Sequence, residues 1–359
     1  MNRWAWSGMA ETTNGHQPAA VVRRAGLAGG GVIGGGWAAR WVLAGVDVAV
    51  FDPAPGAEAV LSRLIANATT ALQSLHGDTL PTPGRWQVVA TIEEAADGAD
   101  IFHESVPERL ELKQSVLAQV DAAAEPHTLI CSSTSGLLPS LLQADMAHPD
   151  RFLVAHPFNP VYLLPLVEIC GGEATNPAAV EAAYAAFTGI GMKPLVVRRE
   201  VEGFIADRLL EALWREALWL VADGVATTEE IDDAIRYGAG LRWASMGTML
   251  TYRIAGGDGG MRHFMGQFGP TLQWPWTHLT EVPELDEALM DRIAEQSDSQ
   301  AGGVGVGELE RIRDACLVAV LDGLRSVPYG AGVTVREHDA RLATSRTSPS
   351  DPHHPSRAH

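Results

Sequence analysis

Apolar positions in the first half of the chain switch repeatedly between two periods. Short continuous runs, many of them β-branched, read as buried strands: "VDVAVFD" (46–52), "ADIFHESV" (99–106), "TLICSSTS" (128–135), "FLVAH" (152–156) and "KPLVVR" (193–198). Between them, residues 37–45, 57–75 and 111–124 place apolar side chains at helical spacing. Strands alternating with helices predict an α/β fold, a doubly wound parallel sheet of the Rossmann type with helices on both faces. From about residue 199 the strand signal stops. "FIADRLLEALWREALWLVADG" (204–224) is apolar at helical spacing, and Thr227 or Thr228 is placed to cap the helix after it. The expected organisation is a disordered N-terminal extension (1–22), an α/β domain (23–198), an all-helical C-terminal domain (199–344) and a disordered polar tail (345–359).

Composition narrows what such a chain can do. The 359 residues, 46% of them hydrophobic, suffice for two ordinary cores. A formal net charge of −18 argues against nucleic acid or an anionic membrane as partner and favours a cationic or zwitterionic ligand. Three widely spaced cysteines, Cys131, Cys170 and Cys316, without a CxxC pair, read as reduced thiols of a cytoplasmic protein. No run is long and apolar enough for a signal core or a membrane span. His353 and His354 adjoin in the tail without further ligands and are read as no metal site.

One glycine cluster has chemical meaning. Gly29, Gly31 and Gly34 form G-x-G-x-x-G between a short apolar stretch and a helix, and Asp52 ends the next strand. In that context Gly29 allows a tight turn, Gly31 lets the backbone approach a pyrophosphate, and Gly34 lets helix and strand pack closely. The free N–H groups at the helix start, on Val32 and Ile33, would face the phosphates. Asp52 would accept from the ribose hydroxyls and repel a 2′-phosphate, so the expected cofactor is NAD. The strand before the loop, "RRAGLAG", is weak because Gly26 interrupts it.

A second constellation lies in "AHPFNPVYLLPLVEI" (155–169). Here Glu168 is the only ionisable residue in an apolar run, where an unmatched charge is costly. If "FLVAH" is a strand of the sheet, His156 lies at its carboxyl end, where such sheets bind ligands. A turn at "PFNP" would bring Glu168 back beside it. A carboxylate on one imidazole nitrogen sets the tautomer and leaves the other nitrogen as a base.

"HPFNP…LPLVEI", with "SSTSGL" (132–137), "HESVPERLELK" (103–113) and "GFIADRLLEA" (203–212), resembles the 3-hydroxyacyl-CoA dehydrogenase superfamily, and the likeness spans roughly residues 24–343. The resemblance implies NAD-dependent oxidation of a 3-hydroxyl, with His156 and Glu168 as the catalytic pair. It puts the substrate-contacting serine and asparagine on Ser135 and Asn159, and the acidic and basic positions near the nicotinamide on Glu104 and Lys113. It also implies a homodimer formed through the helical domain. One position departs: the family's asparagine in "GFIxNR" is Asp207 here. That carboxylate would either pair with Arg208 or serve a positively charged substrate.

The second reading fits the aromatic content of the helical half. A quaternary ammonium is held by aromatic faces, each contact worth about 0.5–2 kcal/mol. Trp243, Tyr252, Phe264, Phe268, Trp274 and Trp276 are candidates, with Trp243, Tyr252 and Phe268 taken as substrate-binding. With only two lysines, Lys113 and Lys193, the chain offers little to a coenzyme A polyanion. Within the superfamily, "HPFNPVYLLPLVE", "YRIAGGDGGMRHFMGQFGP" and "WPWT" resemble members that act on a small 3-hydroxy acid carrying a quaternary ammonium, so the resemblance implies such a substrate and the composition leans the same way. The rivals are a 3-hydroxyacyl-CoA or other 3-hydroxy acid dehydrogenase, and a non-catalytic structural protein on the same fold.

Overall fold

A computed structural model describes residues 22–244, 247–256, 258, 260–268, 277, 286–289, 291–292, 296 and 306–347. Most of the proposed tails, Trp274, Trp276, His353 and His354 lie outside the described residues. Eight strands make one sheet: β1 (Arg24–Ala28), β2 (Asp47–Phe51), β3 (Trp86–Val89), β4 (Ile101–Glu104), β5 (Leu129–Ser132), β6 (Phe152–Pro157), β7 (Leu166–Cys170) and β8 (Lys193–Val196). Their order is β3-β2-β1-β4-β5-β6-β7-β8. The first six are parallel in the Rossmann order, whose topological switch lies between β1 and β4.

Two details differ from the sequence reading. β8 is parallel to β7, which runs antiparallel to β6 as the expected turn at "PFNP" implies, so "KPLVVR" extends the sheet in the opposite sense from the parallel one expected. The reason is connectivity. The short Pro-containing turn after β6 makes a hairpin, whereas a parallel return needs a long crossover. Strand β3 has no apolar run, being half-covered on the sheet edge, and was not expected from the pattern.

Helices α1 (Val32–Leu43), α2 (Ala57–His76), α3 (Ile92–Ala96), α4 (Leu110–Ala123), α5 (Pro139–Leu142) and α6 (Pro177–Gly189) cover the sheet. One core packs Trp37, Trp41, Leu61 and Phe187 against the sheet, and another packs Phe102, Leu117, Phe152 and Phe204. After β8 the described chain is helical. It comprises α7 (Ala206–Ala222), α8 (Thr228–Ala234), a π-helical stretch Ile235–Ala239, α9 (Gly240–Trp243), α10 (Gly247–Ala255), α11 (Gly260–Phe268), α12 (Val306–Arg325) and α13 (Ala331–Thr347). Thr227 and Glu230 close a reciprocal capping box on α8. The last two helices return to the α/β half: Val318, Leu321 and Val335 pack with Leu43, Leu72, Leu75, Tyr162 and Leu163. The Tyr162 hydroxyl donates to Asp314 Oδ2 at 2.5 Å, which pins α12 to the turn after β6. Among the described residues no helix is long and apolar enough to cross a membrane.

Gly26, the flaw in the β1 pattern, has a steric cause. A Cβ there would lie 2.3 Å from the Ala95 carbonyl oxygen and 2.6 Å from the Phe102 ring. Gly26→Ala should therefore destabilise the protein by about 1–3 kcal/mol in urea unfolding, as overpacking does. An unchanged midpoint would mean that α3 does not approach β1 this closely.

Candidate active site

The glycine turn joins β1 to α1. Gly29 has φ +93°, and a Cβ on it would lie 2.5 Å from the Ser105 carbonyl oxygen. A Cβ on Gly34 would lie 1.9 Å from the Gly29 carbonyl oxygen, so the helix sits directly on the turn. Gly31 differs: a Cβ there meets open space, so no protein neighbour demands glycine. The first turn of α1 has no capping side chain and no acidic residue, and Val32 stands 56% exposed. Open space at Gly31 beside uncapped N–H groups fits a dinucleotide pyrophosphate. Asp52 is held by two backbone donors, Gly30 N at 2.6 Å and Ala54 N at 2.8 Å, which aim its carboxylate at the same loop.

His156 and Glu168 are direct cross-strand partners in the β6–β7 hairpin. His156 Nδ1 lies 3.1 Å from Glu168 Oε2. The other oxygen, Oε1, accepts the N–H groups of Ile205 and Ala206, both at 3.0 Å. Glu168 is fully buried, and these three contacts answer the cost of placing a carboxylate in an apolar strand. The two amides begin α7, so the positive end of that helix also faces the carboxylate.

The second imidazole nitrogen faces another carboxylate. Asp207 Oδ2, in the first turn of α7, lies 3.5 Å from His156 Nε2. Arg208, the alternative partner weighed from sequence, makes no ion pair with it among the described residues. Burial pushes the Asp207 carboxyl above its ordinary range; His156 pulls the other way, and Glu168, Glu211 and Glu108 push up. Phe158 and Phe204 pack on the His156 ring, with centroids 4.7 and 5.7 Å away. Phe204 itself has φ +47°, a left-handed conformation uncommon for a bulky residue, just before α7 starts.

Glu104 and Lys113 form a closed network under the sheet edge. Lys113 Nζ donates to Glu104 Oε1 at 2.9 Å, and Ser132 Oγ donates to Oε2 at 2.5 Å. Both charged residues are almost wholly buried, so they floor the site without offering free atoms to its mouth. Glu108 has the more exposed position, and the sequence reading passed over it. Its Oε1 accepts the Ser135 and Gly136 amides at 3.1 and 3.3 Å and the Thr134 hydroxyl, and Oε2 lies 3.3 Å from Lys113 Nζ. Burial opposes its charge, but the Thr134 hydroxyl, Lys113 and the Gly136 amide hold its carboxyl below the ordinary range. The available signal was its place five residues before Lys113, at the start of α4.

Ser135 follows β5 and Asn159 follows β6, adjacent strands, and both are exposed beyond the sheet edge. The aromatic candidates separate. Tyr252, Phe264 and Phe268 form one stack, with centroids 4.6 and 4.9 Å apart. Trp243 stands outside that stack, 39% exposed on α9, and the rings packed on His156 are Phe158 and Phe204 instead.

Known proteins share this chain's sequence and fold. Residues 24–201 match the 3-hydroxyacyl-CoA dehydrogenase NAD binding domain, and residues 203–292 match the 3-hydroxyacyl-CoA dehydrogenase C-terminal domain. An L-carnitine dehydrogenase of Pseudomonas aeruginosa is 58% identical over 309 residues, 86% of this chain and 96% of that protein. An L-carnitine dehydrogenase of Mesorhizobium japonicum is 52% identical over 328 residues, 90% of each chain. Among solved structures, an NAD+-dependent dismutase, the 5-dehydrogenase of a formyl-hydroxy-methylpyridine carboxylic acid, is similar with TM-score 0.69 and 29% identity, covering 84% of this chain and 97% of that one. A 3-hydroxybutyryl-CoA dehydrogenase of Escherichia coli is similar with TM-score 0.53 and 27% identity, covering 70% and 53%. With the two domain models matched in succession over residues 24–201 and 203–292, the chain belongs to the 3-hydroxyacyl-CoA dehydrogenase family.

Proposed function

We propose that this protein oxidises the 3-hydroxyl of L-carnitine to 3-dehydrocarnitine with NAD, His156 acting as general base. The observation that carries the chemistry is the His156–Glu168 hydrogen bond at the carboxyl edge of the sheet that also carries the glycine turn, with β4 and β5 between β1 and β6. The substrate rests on relatives at 52–58% identity that are L-carnitine dehydrogenases. A coenzyme A substrate is less well served, because one of two lysines, Lys113, is buried in an ion pair. Residues 23–198 carry the cofactor and residues 199–344 complete the substrate site.

NAD, bound along Gly29, Gly31, Val32, Ile33, Gly34 and Asp52, supplies the hydride acceptor. Glu168 accepts Nδ1–H and so leaves the His156 Nε2 lone pair to take the hydroxyl proton. Glu168 then balances the imidazolium, while the α7 amides hold the carboxylate in place. Ser135 and Asn159 orient the substrate oxygens, with Glu108 securing the loop of Ser135 and the Glu104–Lys113 pair supporting that floor. Asp207 has a part specific to this substrate. The quaternary nitrogen of L-carnitine is two bonds from the reacting carbon, so it must sit near His156 while the imidazole gains charge. Asp207, 3.5 Å from Nε2, offsets both positive centres. Trp243 or the Tyr252–Phe268 stack supplies the aromatic faces for the cation.

Two broader expectations belong to the same reading. Helix α7 exposes an i, i+4 apolar stripe of Leu209, Leu210, Leu213 and Trp214, between 40% and 68% exposed, on which a second copy can pack as a homodimer. The free, buried Cys131 and Cys170 suit the reducing cytoplasm, and burial pushes the Cys170 thiol up to about 12.

His156→Ala and Glu168→Gln should each lower kcat by roughly 10²–10⁴ while NAD affinity by fluorescence titration stays near wild type. Asp52→Ala should show the reverse, a weaker NAD affinity and a narrowed preference over NADP. Near-normal turnover in both hairpin variants would remove the base assignment.

Asp207→Asn should weaken L-carnitine binding about ten-fold, since loss of a half-screened charge near a cation costs about 1–2 kcal/mol. Because burial raises the Asp207 carboxyl, its charge disappears on acidification above the ordinary carboxylate range. Wild-type affinity for L-carnitine should thus fall with pH in that window, and the asparagine variant should lack this component. Equal losses for a 3-hydroxy acid that lacks the ammonium group would make Asp207 purely structural.

For the dimer, light scattering on the eluting protein should give twice the chain mass, and Leu209→Glu with Trp214→Glu should give the single-chain mass. A monomeric wild type would rule out the α7 pairing.

A further inference from the structure

The last two helices and the α/β half enclose a cleft that the reaction does not use. It has a volume of about 230 Å³, and its wall is mostly apolar, with Leu72, Leu163, Leu321 and Val335 among the lining residues. Its charged and titratable lining residues are Arg40, His76, His338 and Arg341. Arg40 is only 7% exposed. Its guanidinium donates to the carbonyl oxygens of Val161 at 3.0 Å and Ile190 at 3.3 Å, its Nε has no partner, and no carboxylate pairs with it among the described residues. Burial lowers it to about 10, the direction expected of a cation without a counter-charge.

The histidines complete a donor set. His338 packs on Gly191, where a Cβ would meet its ring at 2.7 Å, and it stands edge-on to His76 with centroids 5.2 Å apart. Its Nδ1 is buried without a partner. Burial holds its imidazole down at about 3, so the ring is neutral and can present one N–H to a ligand. The nearby carboxylate of Asp339 is already engaged, one oxygen by His76 Nδ1 at 2.7 Å and the other by Arg325. The result is an unmatched buried cation and an unused donor in the lining of a mostly apolar slot. Buried charges are normally paired, so the missing element is an anion. A bare inorganic anion would leave the apolar wall wet, and a neutral apolar ligand would leave Arg40 unmatched.

We propose that this cleft binds a small monocarboxylate with a short apolar chain, its carboxylate at Arg40 and His338 and its chain along Leu72, Leu163 and Val335. Such a ligand would bridge α1 and α2 to α13, joining the two halves of the molecule away from His156. A volume of about 230 Å³ is below the size of ordinary cofactor pockets, which limits the occupant to a small molecule.

Octanoate is a suitable probe, titrated calorimetrically into the full-length protein with NAD present. Saturable single-site binding with a raised Tm is expected, and octan-1-ol should bind at least about ten-fold more weakly. Arg40→Met should lose about ten-fold in octanoate affinity and keep the affinity for octanol. Because that change also removes two hydrogen bonds to backbone carbonyls, Val335→Phe provides an independent block, expected to abolish binding of both probes in a protein that still unfolds cooperatively. His156→Ala should bind octanoate as the wild type does. Absence of octanoate binding, equal affinity for octanoate and octanol, full affinity in both cleft variants, or loss of binding in His156→Ala would each overturn the proposal.

Discussion

Glu168 is a carboxylate removed completely from water, and a group of that kind survives only if its lone pairs are matched from several directions. Two sets of partners do this here. The His156 ring takes one oxygen across the β6–β7 hairpin, and the first two amides of α7 take the other. The consequence is mechanical as well as electrical. Whatever holds the carboxylate for the imidazole also holds the beginning of the helical half against the sheet, so His156 and α7 share one anchor. The left-handed backbone at Phe204 is the local cost of bringing α7 in at the angle that aims its amides at Glu168.

With α7 fixed in that way, Asp207 follows into contact with His156 Nε2 as a residue of the first turn. The imidazole thus lies between two carboxylates, each held by α7, one by its backbone and one by its side chain. This arrangement favours a positive centre at the base and a second one beside it. The same logic, with the sign reversed, distinguishes the cleft at Arg40, where a cation lies buried and no carboxylate among the described residues pairs with it.

Much of the architecture was legible from local pattern. Alternating strand-like and helix-like runs implied the doubly wound sheet, and the glycines implied the dinucleotide turn, because steric needs of close packing leave a composition signal. Gly26 shows the limit of such reading. As a break in an apolar run it weakens the strand, and only the 2.3 Å approach of the Ala95 carbonyl turns the same glycine into a requirement of the sheet. Glu104 and Glu108 show another limit. Both lie in one acidic and basic motif, yet one is sealed beneath the edge with Lys113 and the other secures the Ser135 loop. Burial, which separates them, is a property of neighbours distant in sequence.

The aromatic residues mark where the pattern gives out altogether. Helical spacing could nominate Trp243, Tyr252 and Phe268, but spacing along a chain cannot say which rings converge, and the structure groups Tyr252 with Phe264 and Phe268 while placing Phe158 and Phe204 on His156. By itself the sequence determined the class of fold, the cofactor turn and the pairing of His156 with Glu168, because each depends on contacts made within a strand, a turn or a single hairpin. The tertiary structure alone decided that the second oxygen of Glu168 serves α7, that Asp207 faces His156 instead of Arg208, and that Arg40 is buried with no carboxylate partner among the described residues. Those outcomes depend on how separate elements pack, and hydrophobic periodicity specifies which face of an element is buried but not which partner it meets.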